Sequence, residues 1–154
     1  MIFLQHNLDF LVFGLLGLMS FIMLWLVIER YIYYWHIKID QFDNADALQL
    51  ALTHNLTFIA TVGSNAPYIG LLGTVIGIML TFYDMGQSGN IGVQTIMTGL
   101  ALALRSTAGG ILVALPAVMF YNALLRKVNV LTTQWKINQS REINQDREIK
   151  RSPA

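Results

Sequence analysis

The sequence contains no cysteine, which excludes disulfides and thiolate chemistry outright. Charge is scarce as well. Asp, Glu, Lys and Arg make up 12% of the 154 residues against 55% hydrophobic, too few to clothe a water-soluble domain of this size. Long stretches lack charge altogether, from Phe10 to Ile28, from Asn55 to Tyr83, and from Met85 to Leu125 but for Arg105. Each is long enough to cross about 30 Å of hydrocarbon at about 1.5 Å per residue. The expected fold is an all-α integral membrane chain with three transmembrane helices.

The leader Met1–Asp9 has no Lys or Arg. A secretory signal needs a basic start and a small-residue cleavage site, so the first helix is expected to be retained. Basic residues follow the first span at Arg30 and Lys38 and follow the third at Arg126, Lys127, Lys136, Arg141, Arg147, Lys150 and Arg151. Because Lys and Arg near span ends stay in the cytoplasm, the expected layout is an N-terminus outside (1–9), span 1 (10–30), a short cytoplasmic segment (31–62), span 2 (63–83), an outside turn (84–93), span 3 (94–120) and a cytoplasmic helical tail (121–154).

Tyr31, Tyr33, Tyr34 and Trp35 read as an aromatic belt at the membrane surface. After them, "DQFDNADALQLALTHNL" predicts a short helix with Asp43 or Asn44 as its cap. In the tail, Leu124, Val128, Leu131 and Trp135 repeat at three and four residues, one helical face. The third helix is therefore expected to run on before fading in "NQSREINQDREIKRSPA", a polar and loosely ordered end. The sequons at Asn55 and Asn138 fall on the cytoplasmic side and are discounted.

Within the spans, small residues mark faces of close helix approach. Gly70, Gly73 and Gly77 recur in the second span, and Gly99, Ala103, Gly110 and Ala114 share a stripe of the third. Two uses fit them equally: helix packing within one subunit, or a tightly packed oligomer. Thr74 and Thr81 lie on one face of the second helix, whose Pro67 opens its apolar part. Thr107 shares a face with Ala103 and Gly110, whereas Arg105 turns nearly the opposite way with Thr98, Leu102 and Gly109. Thr74 and Thr107 both lie roughly 13–18 Å below the outer turn. Each hydroxyl either bonds its own helix carbonyl or lines a polar path.

No His lies in the spans and the membrane interior holds no Asp or Glu, Glu29 being at the inner surface and Asp84 at the outer. Threonine does not titrate in the useful range and arginine stays protonated, so a proton relay through this chain needs a titratable group from another chain. Intramembrane hydrolysis would need a nucleophile with a base or metal ligands, and the membrane interior supplies no acid or histidine for either; neither enzyme activity, nor a metal or cofactor, nor a nucleic-acid partner is expected. Arg105, with no acid at its depth, requires a subunit interface, a partner's carboxylate or bound anion, or a path for snorkelling to headgroups.

"GSNAPYIGLLGTVIGIMLTF" and "ALALRSTAGGILVALPAVMFYN" together resemble the ExbB, TolQ and MotA group of proton-driven motor subunits, and most closely its ExbB branch. The resemblance implies a homo-oligomeric ring, five copies in number, around the helices of an ExbD-like one-span partner whose membrane aspartate carries the proton. The complex would drive TonB and so energise outer-membrane nutrient import; a TolQ-like role or a passive pore-forming oligomer are the alternatives. Thr74 and Thr107 fall on the family's two pore threonines, with Thr81 as a further pathway hydroxyl. Arg105, Gly70, Gly73, Gly77, Gly110 and Pro116 are the residues expected at a subunit or partner interface. One departure concerns charge: enterobacterial-type relatives carry a glutamate where this chain has Leu102, and Arg105 one turn on gives that face the opposite sign. The cytoplasmic loop is also short compared with many relatives.

Overall fold

A computed structural model describes residues 2–42, 44–88 and 92–151. It is all-helical among them. Helix α1 spans Ile2–His36, a 3₁₀ turn follows at Ile39–Gln41, α2 spans Ala45–Thr53, α3 Leu56–Ser88 and α4 Val93–Arg151. Three of these, α1, α3 and α4, are long and apolar enough to cross a membrane. The family-implied ring is not a property that one chain displays.

The short helix starts where capping chemistry places it. The Asn44 side chain accepts a 2.7 Å hydrogen bond from the Ala47 amide, satisfying one of the orphan donors of the first turn. Asp43, the other proposed cap, lies outside the described residues, as do 89–91 of the outer turn. Only His54 and Asn55 separate α2 from α3. Asn55 has φ 65°, a left-handed conformation that asparagine tolerates better than most residues, and this reverses the chain tightly. Both internal prolines, Pro67 in α3 and Pro116 in α4, leave their helices unbroken.

Helix α4 departs from the reading of a fading tail: it stays helical to Arg151. Between Asn138 and Arg151 the chain holds no glycine or proline and is rich in Gln, Glu, Arg and Lys, which lose little rotamer freedom in a helix. At about 1.5 Å per residue, its 59 residues make a rod of about 88 Å.

Two apolar cores hold the bundle. The larger, at the basic end, gathers Met23 and Val27 of α1, Leu48 and Leu52 of α2, Leu56, Ile59 and Val62 of α3, and Ala117, Leu124, Val128 and Trp135 of α4. The tail face of Leu124, Val128 and Trp135 is thus buried within the chain, and Trp135 Nε1–H donates to the Phe42 carbonyl at 3.1 Å. The smaller core joins Val12 and Leu16 to Ala66 and Ala114.

Helices α3 and α4 form the most extensive contact in the molecule, because glycines let their backbones touch. A methyl group on Gly70 would lie 2.6 Å from the Ser106 carbonyl oxygen and 3.0 Å from the Gly110 Cα; one on Gly110 would lie 2.6 Å from the Ala66 carbonyl oxygen. Backbone cannot yield as a side chain can. Gly73 faces Ser106, Gly77 faces Ala103 at 3.0 Å, and Gly99 faces Thr81.

We expect Gly70→Leu or Gly110→Leu to lower the stability of the detergent-solubilised protein by at least the roughly 1–3 kcal/mol typical of overpacking. Gly14→Ala, where nothing lies within 4 Å, is expected to stay within about 0.5 kcal/mol of the parent. Reversible unfolding followed by circular dichroism checks both.

Candidate functional site

The hydroxyl groups sort themselves by where their protons go. Thr53, Thr61, Thr81, Thr98, Thr132 and Thr133 each donate to the carbonyl four residues back, the ordinary way for a helical threonine to satisfy itself. Thr74 does more. Its Oγ1 lies 3.2 Å from its own-helix Gly70 carbonyl, 3.0 Å from the Ala103 carbonyl of α4 and 2.5 Å from Thr107 Oγ1. Thr74 is 6% exposed, and Thr107 is half-buried. Two hydroxyls predicted from opposite helices at one depth therefore touch.

The proton count of this pair is informative. A hydroxyl carries one donor and two acceptor lone pairs, and a carbonyl only accepts. When Thr74 donates to Ala103, it accepts from Thr107. When Thr107 turns its proton elsewhere, Thr74 must turn its own proton from the carbonyl to Thr107 for the contact to stay a hydrogen bond. Thr107, the less buried of the two, is thus the member that can turn its proton to a group beyond the chain, with Thr74 switching between the Ala103 carbonyl and Thr107 as donor to the pair.

Glycine packing is what brings the pair together. Gly70, Gly73, Gly77 and Gly110 all lie at the α3–α4 contact of one chain, so the bundle spends these small faces on itself. Ser106, which the sequence reading did not single out, is 1% exposed and fills the space that Gly73 leaves open. Thr81 is buried against Gly99 and helps line a cleft of about 360 Å³ with Asp84, Gln94, Thr98 and Leu102. Pro116 lies half-buried on α4, beyond the threonine pair towards the basic end.

Arg105 stands apart from the threonines. It is exposed, and its guanidinium lies 5.4 Å from the centroid of the Phe13 ring of α1, within cation–π range. Gly109, one turn on, makes room for that ring, since a methyl group there would meet Phe13 Cε1 at 2.8 Å. The face shared by Arg105 and Gly109 in the helical projection is therefore the one α1 covers in part. Phe13 carried no signal of this role in the sequence, where it is one apolar residue among many.

The second arginine near a span is handled differently. Arg30 is 5% exposed. Its Nη1 donates to the Ala51 carbonyl at 3.1 Å and its Nη2 lies 2.7 Å from His54 Nδ1; a guanidinium only donates, so that ring nitrogen accepts. The Tyr34 hydroxyl donates to the Leu52 carbonyl at 2.6 Å. Arg30 and Tyr34 together satisfy carbonyls at the C-terminal end of α2, which have no partner within the helix. Arg30 also lies 3.6 Å from Glu29, whose carboxylate accepts from Asn55. Residues that read as topology marker and aromatic anchor are thus the clasp between α1 and the α2–α3 elbow.

Comparison with known proteins places this geometry among relatives. The profile of the MotA/TolQ/ExbB proton channel family matches residues 38–137. The chain is 52% identical over 137 residues to the biopolymer transport protein ExbB of Helicobacter pylori, covering 89% of this chain and 94% of that one. It is 47% identical over 132 residues to the ExbB of Aquifex aeolicus, covering 86% and 89%. The Tol-Pal system protein TolQ of Haemophilus influenzae is 44% identical over 81 residues, 53% of this chain and 36% of that protein.

Thr74→Val keeps the shape but removes the hydroxyl, and is expected to lower stability in detergent by about 0.6–1.5 kcal/mol, with Thr74→Ser close to the parent. Arg30→Met, which removes two hydrogen bonds from a charged donor, is expected to cost about 1.5–3 kcal/mol or more. Hydrogen exchange should then rise selectively at the α2 amides.

Proposed function

This chain belongs to the MotA/TolQ/ExbB proton channel family, and we propose that it is an ExbB-type energiser subunit that couples the proton gradient to work on TonB. In this reading five copies form a ring in the bacterial inner membrane, N-terminus periplasmic and C-terminus cytoplasmic. An ExbD-like one-span partner threads the ring and brings the membrane aspartate that this chain lacks.

The observation that carries the proposal is the Thr74–Thr107 hydroxyl pair, joined at 2.5 Å in a membrane interior to which this chain brings no Asp, Glu or His. Such a pair cannot carry a proton itself, but it suits a carboxyl group in either state. A protonated partner carboxyl donates to a lone pair of Thr107. After release, the carboxylate accepts the Thr107 proton, and Thr74 turns its own proton from the Ala103 carbonyl to Thr107. The site thus stabilises both ends of the proton-transfer step without moving backbone, and the charge-assisted bond to the ionised state is the stronger of the two.

Thr81, nearer the outer turn and beside the Asp84 cleft, lies on the approach from the periplasm. Arg105, aimed away from the threonines and braced by Phe13, acts at the flank between neighbouring copies. Pro116 and the glycines support the helix geometry behind the pathway. The family-position glutamate is Leu102 here and 41% exposed, so in this proposal no acid of the ring subunit takes part.

Similarities that extend over 86–89% of the chain are to the ExbB proteins of Helicobacter pylori and Aquifex aeolicus, which supports the TonB branch; the TolQ match, over 53%, is of about the same extent as those to the Neisseria ExbB proteins, 51%. The decisive test co-expresses the chain with the one-span protein encoded next to it and measures gradient-dependent, TonB-driven uptake. Thr74→Ala with Thr107→Ala should reduce uptake by roughly 10- to 100-fold, the equivalent of about 1.5–3 kcal/mol, and Thr→Ser at both positions should retain most of it. Full uptake by the double alanine variant, or by the chain without any partner, would sink the proposal.

A further inference from the structure

The flank where α1 and α4 meet at the basic end carries a feature that the proton pathway does not use. A groove of about 510 Å³ runs between them, lined by Val27, Ile28 and Tyr31 on one wall and Phe120, Leu124 and Lys127 on the other. It continues into a second hollow of about 410 Å³, which shares Tyr31, Ile32 and Lys127 and adds Tyr34 and Trp35. The chain leaves this surface uncovered: Ile28 is 60% exposed, Tyr31 65% and Trp35 84%.

Polarity changes along the groove in one direction on both walls. On α1 it passes from Val27 and Ile28 to Tyr31 and then Trp35. On α4 it passes from Phe120 and Leu124 to Lys127. Each change takes seven or eight residues, about 10–12 Å of helix. Lys127 is the charged residue common to both hollows. Among the described residues, the ion pair is Arg30 with Glu29, so Lys127 has no carboxylate partner there. An aliphatic slot that ends in tyrosine, tryptophan and an unneutralised ammonium is complementary to a molecule with an apolar chain and an anionic head.

We propose that this groove is a binding site for an anionic phospholipid, with one acyl chain lying between Ile28 and Leu124 and the phosphate held by Lys127 at the level of Tyr31 and Trp35. The lipid covers apolar surface that the three spans cannot cover themselves. On the positive-inside reading of the chain, it belongs to the cytoplasmic leaflet. The proposal stands independently of the proton pathway.

The test uses the full chain in vesicles of phosphatidylcholine and phosphatidylglycerol at 3:1, extracted in mild detergent and weighed by native mass spectrometry. The parent should retain phosphatidylglycerol in preference to phosphatidylcholine. Lys127→Gln, at an exposed position, should cut that preference by about fivefold, and Lys127→Arg should preserve it. Ala123→Trp, which fills the slot, should reduce retention of both lipids. Because the chain has no cysteine, Ile28→Cys and Ala123→Cys report without background. Rapid oxidative crosslinking of these two positions between copies would mean that a second copy occupies the groove, and would overturn the proposal. So would equal retention of the two lipids, or a Lys127→Gln variant indistinguishable from the parent.

Discussion

Everything at the centre of this molecule depends on two backbones touching. Lipid supplies no hydrophobic drive between helices, so α3 and α4 associate through van der Waals contact and hydrogen bonds, and both require close approach. Gly70 and Gly110 provide it, each leaving no room for a methyl group against the other helix. At a spacing set by larger side chains, the Thr74 hydroxyl would fall short of the Ala103 carbonyl and of Thr107. The polar pair follows from the apolar packing.

The two arginines near the spans illustrate how one cation can be made structural and another left available. Arg30 is buried and its two terminal nitrogens bond Ala51 and His54, which fixes the end of α2 and the sharp turn at Asn55; its Nε is left without a partner among the described residues. Arg105 lies over the face of Phe13 and stays exposed. A guanidinium with unspent donors in an apolar span is costly unless something beyond the chain meets it. In the proposed ring, contacts between copies would offset that cost, since the threonine pair looks the other way.

Large apolar side chains remain exposed along all three long helices, among them Phe21 and Trp25 on α1, Met79 and Phe82 on α3, and Leu112 and Met119 on α4. Their cover must come from lipid, from neighbouring copies or from a partner helix. The groove beside Lys127 is where the side chains themselves discriminate among these, since it grades from aliphatic to aromatic to cationic. Most of the remaining surface is uniformly apolar and carries no such preference.

Much was legible in the sequence because it depends on period and composition alone. Uncharged runs longer than a bilayer is thick allow only membrane helices, Asn44 before a helical run caps it, and the three-and-four spacing of Leu124, Val128 and Trp135 marks a buried face. Thr74 and Thr107 could be placed at one depth by counting residues at constant rise. Counting along a helix does not reveal its rotation about a neighbour, so whether the glycine stripes served one chain or several was open until the α3–α4 contact answered it for Gly70, Gly73, Gly77 and Gly110. For the same reason Arg30 and Tyr34 read as surface anchors, although the fold brings the end of α2, some twenty residues away, over them. Local spacing determined which helices form, how deep each side chain sits and which titratable groups are missing. Only tertiary structure decided which hydroxyls touch, which arginine is spent and which face stays open, because those depend on how separate helices turn towards one another in space.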